Sequence, residues 1–161
     1  GTQMLPESQL DRFMIKLSMG YPDPASEIAI LKDRQGANPL NDVKQVVDGK
    51  DIVMMQEETD NLHMDDAIIE YITMLSFATR QNPLIELGVS PRGSIALAGM
   101  SKAKAYISGR TYVTPEDVQS IFKDVAGHRI ILNPRAKISS VTVDEVIDNI
   151  FHTVPVPRAM R

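Results

Sequence analysis

Apolar positions recur along this chain mainly at helical spacing. In "AIIEYITMLSFATRQ", residues 67–81, Ile68, Ile72 and Leu75 share a face, with Ile69 and Met74 beside them. Asp65 or Asp66 stands where a cap is needed, so the spacing predicts an amphipathic helix. "VTPEDVQSIFKDVAGHR" is punctuated more clearly. Thr114 caps, Pro115 takes the first position, Glu116 and Asp117 face the positive dipole end, and Gly127 is placed as a left-handed stop. His128 and Arg129, just past that end, can satisfy its last carbonyls.

A further helix is predicted from Ser90 to about Ser108, stopped by Gly109. Its stripe of Ala96, Gly99, Met100, Ala103 and Ile107 would admit a close neighbour, with Lys102 and Lys104 toward water. "DPASEIAILKDRQG" places Ile28, Leu31 and Gln35 on one face, with Pro24 near its start and Gly36 as its stop. Asp51 can cap "IVMMQEETDNL", and Thr142 with Glu145 gives capping-box spacing to "TVDEVIDNIF". Pro6 and Glu7 head a short helical turn in "LPESQLDRF".

One stretch alternates instead. Phe13, Ile15, Leu17 and Met19 oppose Met14, Lys16 and Ser18, which predicts a short strand over 13–19 ended by Gly20 and Pro22. A lone strand must pair, and its partners are expected outside this chain or at its distant end. "ANPLNDVKQVVDGK" and "NPLIELG" read as loops, and "VPVPR" as an extended tail. The fold class is therefore mainly α: a helical bundle with one short N-terminal β-strand, a piece of another fold.

Composition narrows the function. Of 161 residues, 43% are hydrophobic and 24% charged, which are globular values. The formal net charge of −4 provides no overall basic field, so neither nucleic acid nor an anionic membrane is an expected partner. No apolar run approaches the roughly 20 residues of a membrane span, so no membrane insertion is expected. With no cysteine, disulfides and thiolate metal sites are excluded and a cytoplasmic location is the simplest fit. The opening "GTQMLPESQL" resembles neither a signal peptide nor a natural chain start, and suggests a piece of something longer.

Residues 88–95, "GVSPRGSI", nearly spell a phosphate-cradling loop, but the Lys that must follow the second glycine is missing. The same letters make a helix start: Ser90 as N-cap, Pro91 first, Arg92 second, Gly93 third. Free N–H groups and the dipole favour an anion there, and the Arg92 guanidinium suits phosphate oxygens. On spacing alone, an ordinary capped helix with a solvated arginine is the commoner case. Arg12 likewise reads first as a surface pair with Asp11. "VTVDE" has the look of a Walker B strand, yet the capping box explains it. His63, His128 and His152 share no ligand spacing, so no metal is expected in this chain.

Taken together, "GTQMLPESQLDRFMIKLSMGYP", "HMDDAIIEYITMLSFATR" and "LGVSPRGSIALAGMSKAKAYISGRTYVTPEDVQSIFKDVAGHRIIL" resemble the MoxR family of AAA+ ATPases, in the order that family shows. The resemblance implies a fragment. Residues 1–22 would end the AAA+ core, 23–137 form the helical lid, and 138–161 add a C-terminal helix and tail. The 13–19 strand would belong to a sheet whose other strands precede this chain. Arg92 falls at the sensor-2 arginine, reaching ATP in its own subunit, with Ser90, Pro91 and Gly93 around it. Arg12 falls at the arginine finger offered in trans. Walker A and Walker B are absent, so ATP and Mg2+ are implied for the full-length protein and none for this segment alone. The resemblance further implies a homo-oligomeric ring, a hexamer, that remodels or matures client proteins with a von Willebrand factor A-domain partner. The family's older label is regulator of methanol dehydrogenase. The rival readings are a non-catalytic helical protein-interaction module and, less favoured by the charge, a nucleic-acid-binding helical domain.

Overall fold

The computed structural model describes residues 5–35 and 38–157. Their elements run α1 (Glu7–Leu10), α2 (Pro24–Asp33), a 3₁₀ turn (Pro39–Asp42), α3 (Gly49–Asp60), α4 (Asp66–Gln81), β1 (Ile85–Leu87), α5 (Pro91–Ile107), α6 (Pro115–Ala126), β2 (Ile131–Leu132), α7 (Pro134–Ile138) and α8 (Val143–Thr153). The architecture is mainly α, a helical bundle, as the periodicity predicts. The Gly36 stop and the start and end of the chain at 1–4 and 158–161 lie outside the described residues.

The chain divides into two compact units, one of residues 1–16 with 58–161 and one of 17–57. In the first, α4, α5, α6 and α8 enclose a core in which Leu75, Val118, Phe122 and Ile147 are fully buried. Phe122 meets Phe151 edge to face, with ring centroids 5.4 Å apart. On α4 the buried face contains Ile68, Tyr71, Ile72 and Leu75, whereas Ile69 and Met74 are about half exposed. On α5 the buried stripe is Gly93, Ala96, Leu97, Ser101 and Ala105, with Gly99 and Ile107 outside it. This corrects the predicted stripe: the buried face is rotated, with Leu97 inward and Ile107 exposed.

The caps set the helix ends. The Asp65 carboxylate accepts from Ala67 N at 2.9 Å, and Ser90 Oγ from Gly93 N at 3.1 Å. Thr142 N donates to Glu145 Oε2 at 2.8 Å while Glu145 N donates to Thr142 Oγ1 at 3.2 Å, the expected reciprocal box. Gly109 ends α5 with φ +70°, a left-handed conformation. Gly127 does not: its φ of −59° is right-handed. A Cβ there would lie 2.7 Å from the Lys123 carbonyl oxygen, so the glycine serves close approach instead.

Two further differences are physical. The segment 84–87, read as a loop, contains β1, antiparallel to β2 with Ile85 opposite Leu132 and Leu87 opposite Ile131. The predicted strand over 13–19 forms no ladder among the described residues. A strand is defined by its neighbour's hydrogen bonds. Here Lys16 N instead donates to Asp124 O at 2.9 Å, and Phe13, Met14, Leu17 and Met19 are exposed.

In the unit of 17–57, α2 and α3 form as expected, but no described residue is buried. α2 is capped by Asp23, whose Oδ1 accepts from Ser26 N at 2.8 Å. α3 begins earlier than the Asp51 cap predicts: Asp48 Oδ1 accepts from Lys50 N and Asp51 N, and Asp51 Oδ2 accepts back from Asp48 N.

Candidate functional site

The sequence "LGVSPRGS" folds as a tight corner between α4 and α5. Thr79, fully buried on α4, donates from Oγ1 to Ser76 O at 2.6 Å and accepts from Val89 N at 2.9 Å. Arg80 Nε donates to Val89 O at 2.7 Å, and Ser94 Oγ to Ser76 Oγ at 2.9 Å. Gly88 is required by contact, since a Cβ would lie 2.8 Å from the Thr79 and Arg80 backbone. Both backbone polar groups of Val89 are therefore spent on α4 and are not free to cradle phosphate, although a strand, β1, does precede this connection.

Ser90 caps α5, Pro91 opens it and Arg92 follows on its exposed first turn. Among the described residues the Arg92 side chain makes no hydrogen bond or ion pair, so its guanidinium is left to solvent at the positive end of a 17-residue helix. Arg12 is equally exposed and equally unpaired among the described residues. The surface pair between Asp11 and Arg12 does not form. Asp11 instead accepts Arg129 Nε at Oδ1, 2.9 Å away, and the Ser90 hydroxyl at 3.0 Å.

Arg129 is the residue that spacing undervalued. Its side chain is 2% exposed, and its donors are all engaged. Nη2 donates to Asp11 O at 3.1 Å and Phe13 O at 2.6 Å. Nη1 reaches Met14 O at 3.2 Å and, as predicted for a helix end, the Val125 carbonyl. Burying a guanidinium is tolerable only with such a set of acceptors. His128 Nε2 lies 3.0 Å from Phe13 O and 2.9 Å from Arg129 Nη1, accepting or donating according to tautomer. Burial above all, with the Arg129 charge assisting, holds His128 below the ordinary imidazole range.

The remaining glycine of the motif follows from this. A Cβ on Gly93 would stand 2.6 Å from Val89 Cγ1 and 2.9 Å from Arg129 Cδ. Gly93 is thus buried to let the Arg129 stem pass under the first turn of α5. A glycine at a third helical position where no left-handed turn is needed, together with an arginine after an amphipathic helix, was the signal in the sequence. The structure gathers Asp11, Ser90, Gly93 and Arg129 into one node, and Arg12 and Arg92 are the sequence neighbours of Asp11 and Gly93. Among the described residues no group of three His, Asp or Glu side chains is placed to hold a metal ion, and no helix is long and apolar enough to cross a membrane.

Residues 77–150 match the family described as the AAA lid domain. The chain is 40% identical over 157 residues to YeaC, an uncharacterized protein of Bacillus subtilis, covering 98% of this chain and 49% of that protein. It is 32% identical over 167 residues to the chaperone MoxR1 of Mycobacterium tuberculosis, covering 98% and 44%. Over 79 residues it is 37% identical to the protein MoxR of Methylorubrum extorquens, covering 46% and 22%. A crystal structure of a candidate ATPase from Cytophaga hutchinsonii superposes with a TM-score of 0.88 at 31% identity, over 98% of this chain and 51% of that one. The chain spans about half the length of the relatives it matches most fully.

Proposed function

Since the chain belongs to the MoxR family of AAA+ ATPases and includes its lid region, we propose that it serves the full-length protein as a nucleotide-sensing lid. On this reading 1–22 closes the nucleotide-binding core, 23–137 forms the lid, and 138–161 adds the helix and tail that complete it. The single observation that carries the reading is a pair of exposed arginines, Arg12 and Arg92, that make no hydrogen bond or ion pair among the described residues, each next in sequence to a residue of the node of Asp11, Ser90, Gly93 and Arg129.

Arg92 fits a triphosphate of its own subunit: a delocalised, always charged fork at a helix start, with no acceptor among the described residues. Ser90, Pro91 and Gly93 hold that turn in shape. ATP with Mg2+ supplies the phosphoryl group and the charge that develops on its transfer. Arg12 fits the complementary task of stabilising that charge in a neighbouring subunit, a contribution that can reach roughly 10³-fold or more in turnover. Assembly into a homo-oligomeric ring, a hexamer on the family resemblance, is what such an arginine requires. Loss of nucleotide contact at Arg92 frees the lid to turn, and that motion is the means of remodelling or maturing client proteins. A von Willebrand factor A-domain protein is the proposed partner, and the cytoplasm the proposed location. Whether methanol dehydrogenase is a client is separable from the rest.

The test is ATP turnover by the full-length protein and its Arg92→Ala and Arg12→Ala variants. Both are expected to fall at least about 10²-fold, with the fold and assembly unchanged. Wild-type turnover by both variants would leave a helical interaction module as the better description.

A further inference from the structure

Arg12 and Arg92 belong to different stretches of chain, yet one buried side chain fixes the backbone beside each. Arg129 binds the carbonyls of Asp11, Phe13 and Met14, that is, both neighbours of Arg12 and the residue beyond. Its stem packs where Gly93 lacks a side chain, directly after Arg92. Its carboxylate partner, Asp11, also accepts from Ser90 Oγ, two residues before Arg92. A second tie runs parallel, from Lys16 N to Asp124 O on α6.

A surface loop has no need of this. A guanidinium that is 2% exposed and bonded to three carbonyls of one stretch fixes the path of 11–14 relative to the start of α5, while Arg12 and Arg92 make no hydrogen bond or ion pair among the described residues. We propose that Arg129 is a positioning residue that makes Arg12 and Arg92 parts of one rigid lever. The inference rests on the reading of Arg12 as a finger acting in trans. Its content goes further: the orientation that Arg92 takes on its own subunit's nucleotide is transmitted through Arg129 to the finger presented to the neighbour. The occupancy of one site thereby sets the turnover of the next.

The predicted defect is directional. In the full-length assembled protein, Arg129→Gln keeps a hydrogen-bonding amide but loses the charge and the fork. Turnover is expected to fall roughly 10–100-fold through misplacement of the finger, with KM for ATP within about threefold of wild type. Mixing these subunits with subunits whose phosphate loop is disabled but whose Arg129 and Arg12 are intact should restore turnover, because the finger then comes from the donor. A merely structural loss would stay with the damaged subunit and resist this rescue. Asp11→Asn, which keeps the Ser90 contact and removes the anionic partner of Arg129, should show the same rescuable loss to a smaller degree if Arg129→Gln does not assemble.

Wild-type turnover by both variants, or a loss that donors do not rescue, overturns the proposal while leaving the finger itself intact, provided Arg12→Ala is impaired in the same assay. Normal turnover by Arg12→Ala removes the underlying reading and the lever with it.

Discussion

The two units obey the same helix rules with opposite results. In 17–57, α2 and α3 have their caps at Asp23 and Asp48, yet nothing described there is buried, and Met19 and Val46 are almost wholly exposed. In 58–157, helices capped in the same manner by Asp65, Ser90 and Thr142 enclose a core with Phe122 and Leu75 at 0% exposure. Capping decides where a helix begins; only complementary apolar faces decide whether it buries anything. Stability and the arginine node therefore both reside in the unit of 1–16 and 58–161, whereas 17–57 contributes helices with no buried core among its described residues.

The largest expected contrast comes from truncating one apolar residue in each unit. Phe122→Ala should cost about 3–5 kcal/mol in urea unfolding, whereas Leu31→Ala on α2 should stay within about 0.5 kcal/mol. Equal costs would mean that α2 is as well packed as α6.

Asp117 gives the next largest effect. It is 3% exposed and bonded by Arg110 Nη1 at 2.6 Å and Thr114 N at 2.8 Å. Burial alone would raise its pKa, but the Arg110 hydrogen bond and charge, with the Thr114 N–H, hold it below the ordinary carboxylate value. A depressed folded pKa means stability that is present above the unfolded value of about 4 and lost as pH falls through the folded one. Asp117→Asn should cost about 2 kcal/mol at neutral pH and flatten this part of the acid dependence. An unchanged stability–pH curve would contradict the assignment.

Smaller again is Gly93→Ala, which drives a methyl into Val89 and the Arg129 stem. A net loss of about 1 kcal/mol is expected by thermal unfolding, because the better helix propensity of Ala offsets part of the overpacking. The smallest is Asp23→Ala, which should lower amide protection in α2 and leave the main unfolding transition where it was.

Much of this was legible before any coordinates. Ser90, Thr142 with Glu145, Pro115 and Gly109 announce helix ends because capping is local chemistry. β1, β2 and α7 were not legible: they are three, two and five residues long, and β1 and β2 exist only because Ile85 and Leu132 meet across the fold. The 13–19 segment is the converse case: its alternation is plain in the sequence, but among the described residues no neighbouring strand pairs with it. Arg12 and Arg92 stand out by motif, whereas the sequence shows only the local contact of Arg129 with its helix end, because its other acceptors, on Asp11, Phe13 and Met14, lie more than 100 residues away.

On the proposed function, Arg92 contacts nucleotide in its own subunit while Arg12 acts on the next. Mixed rings separate these two roles, combining Arg12→Ala subunits with subunits that have a disabled phosphate loop and an intact Arg12. Neither population alone should hydrolyse ATP appreciably, and the mixture should recover turnover, whereas Arg92→Ala in place of Arg12→Ala should not be rescued. No recovery with Arg12→Ala, or equal recovery with both variants, would contradict the account.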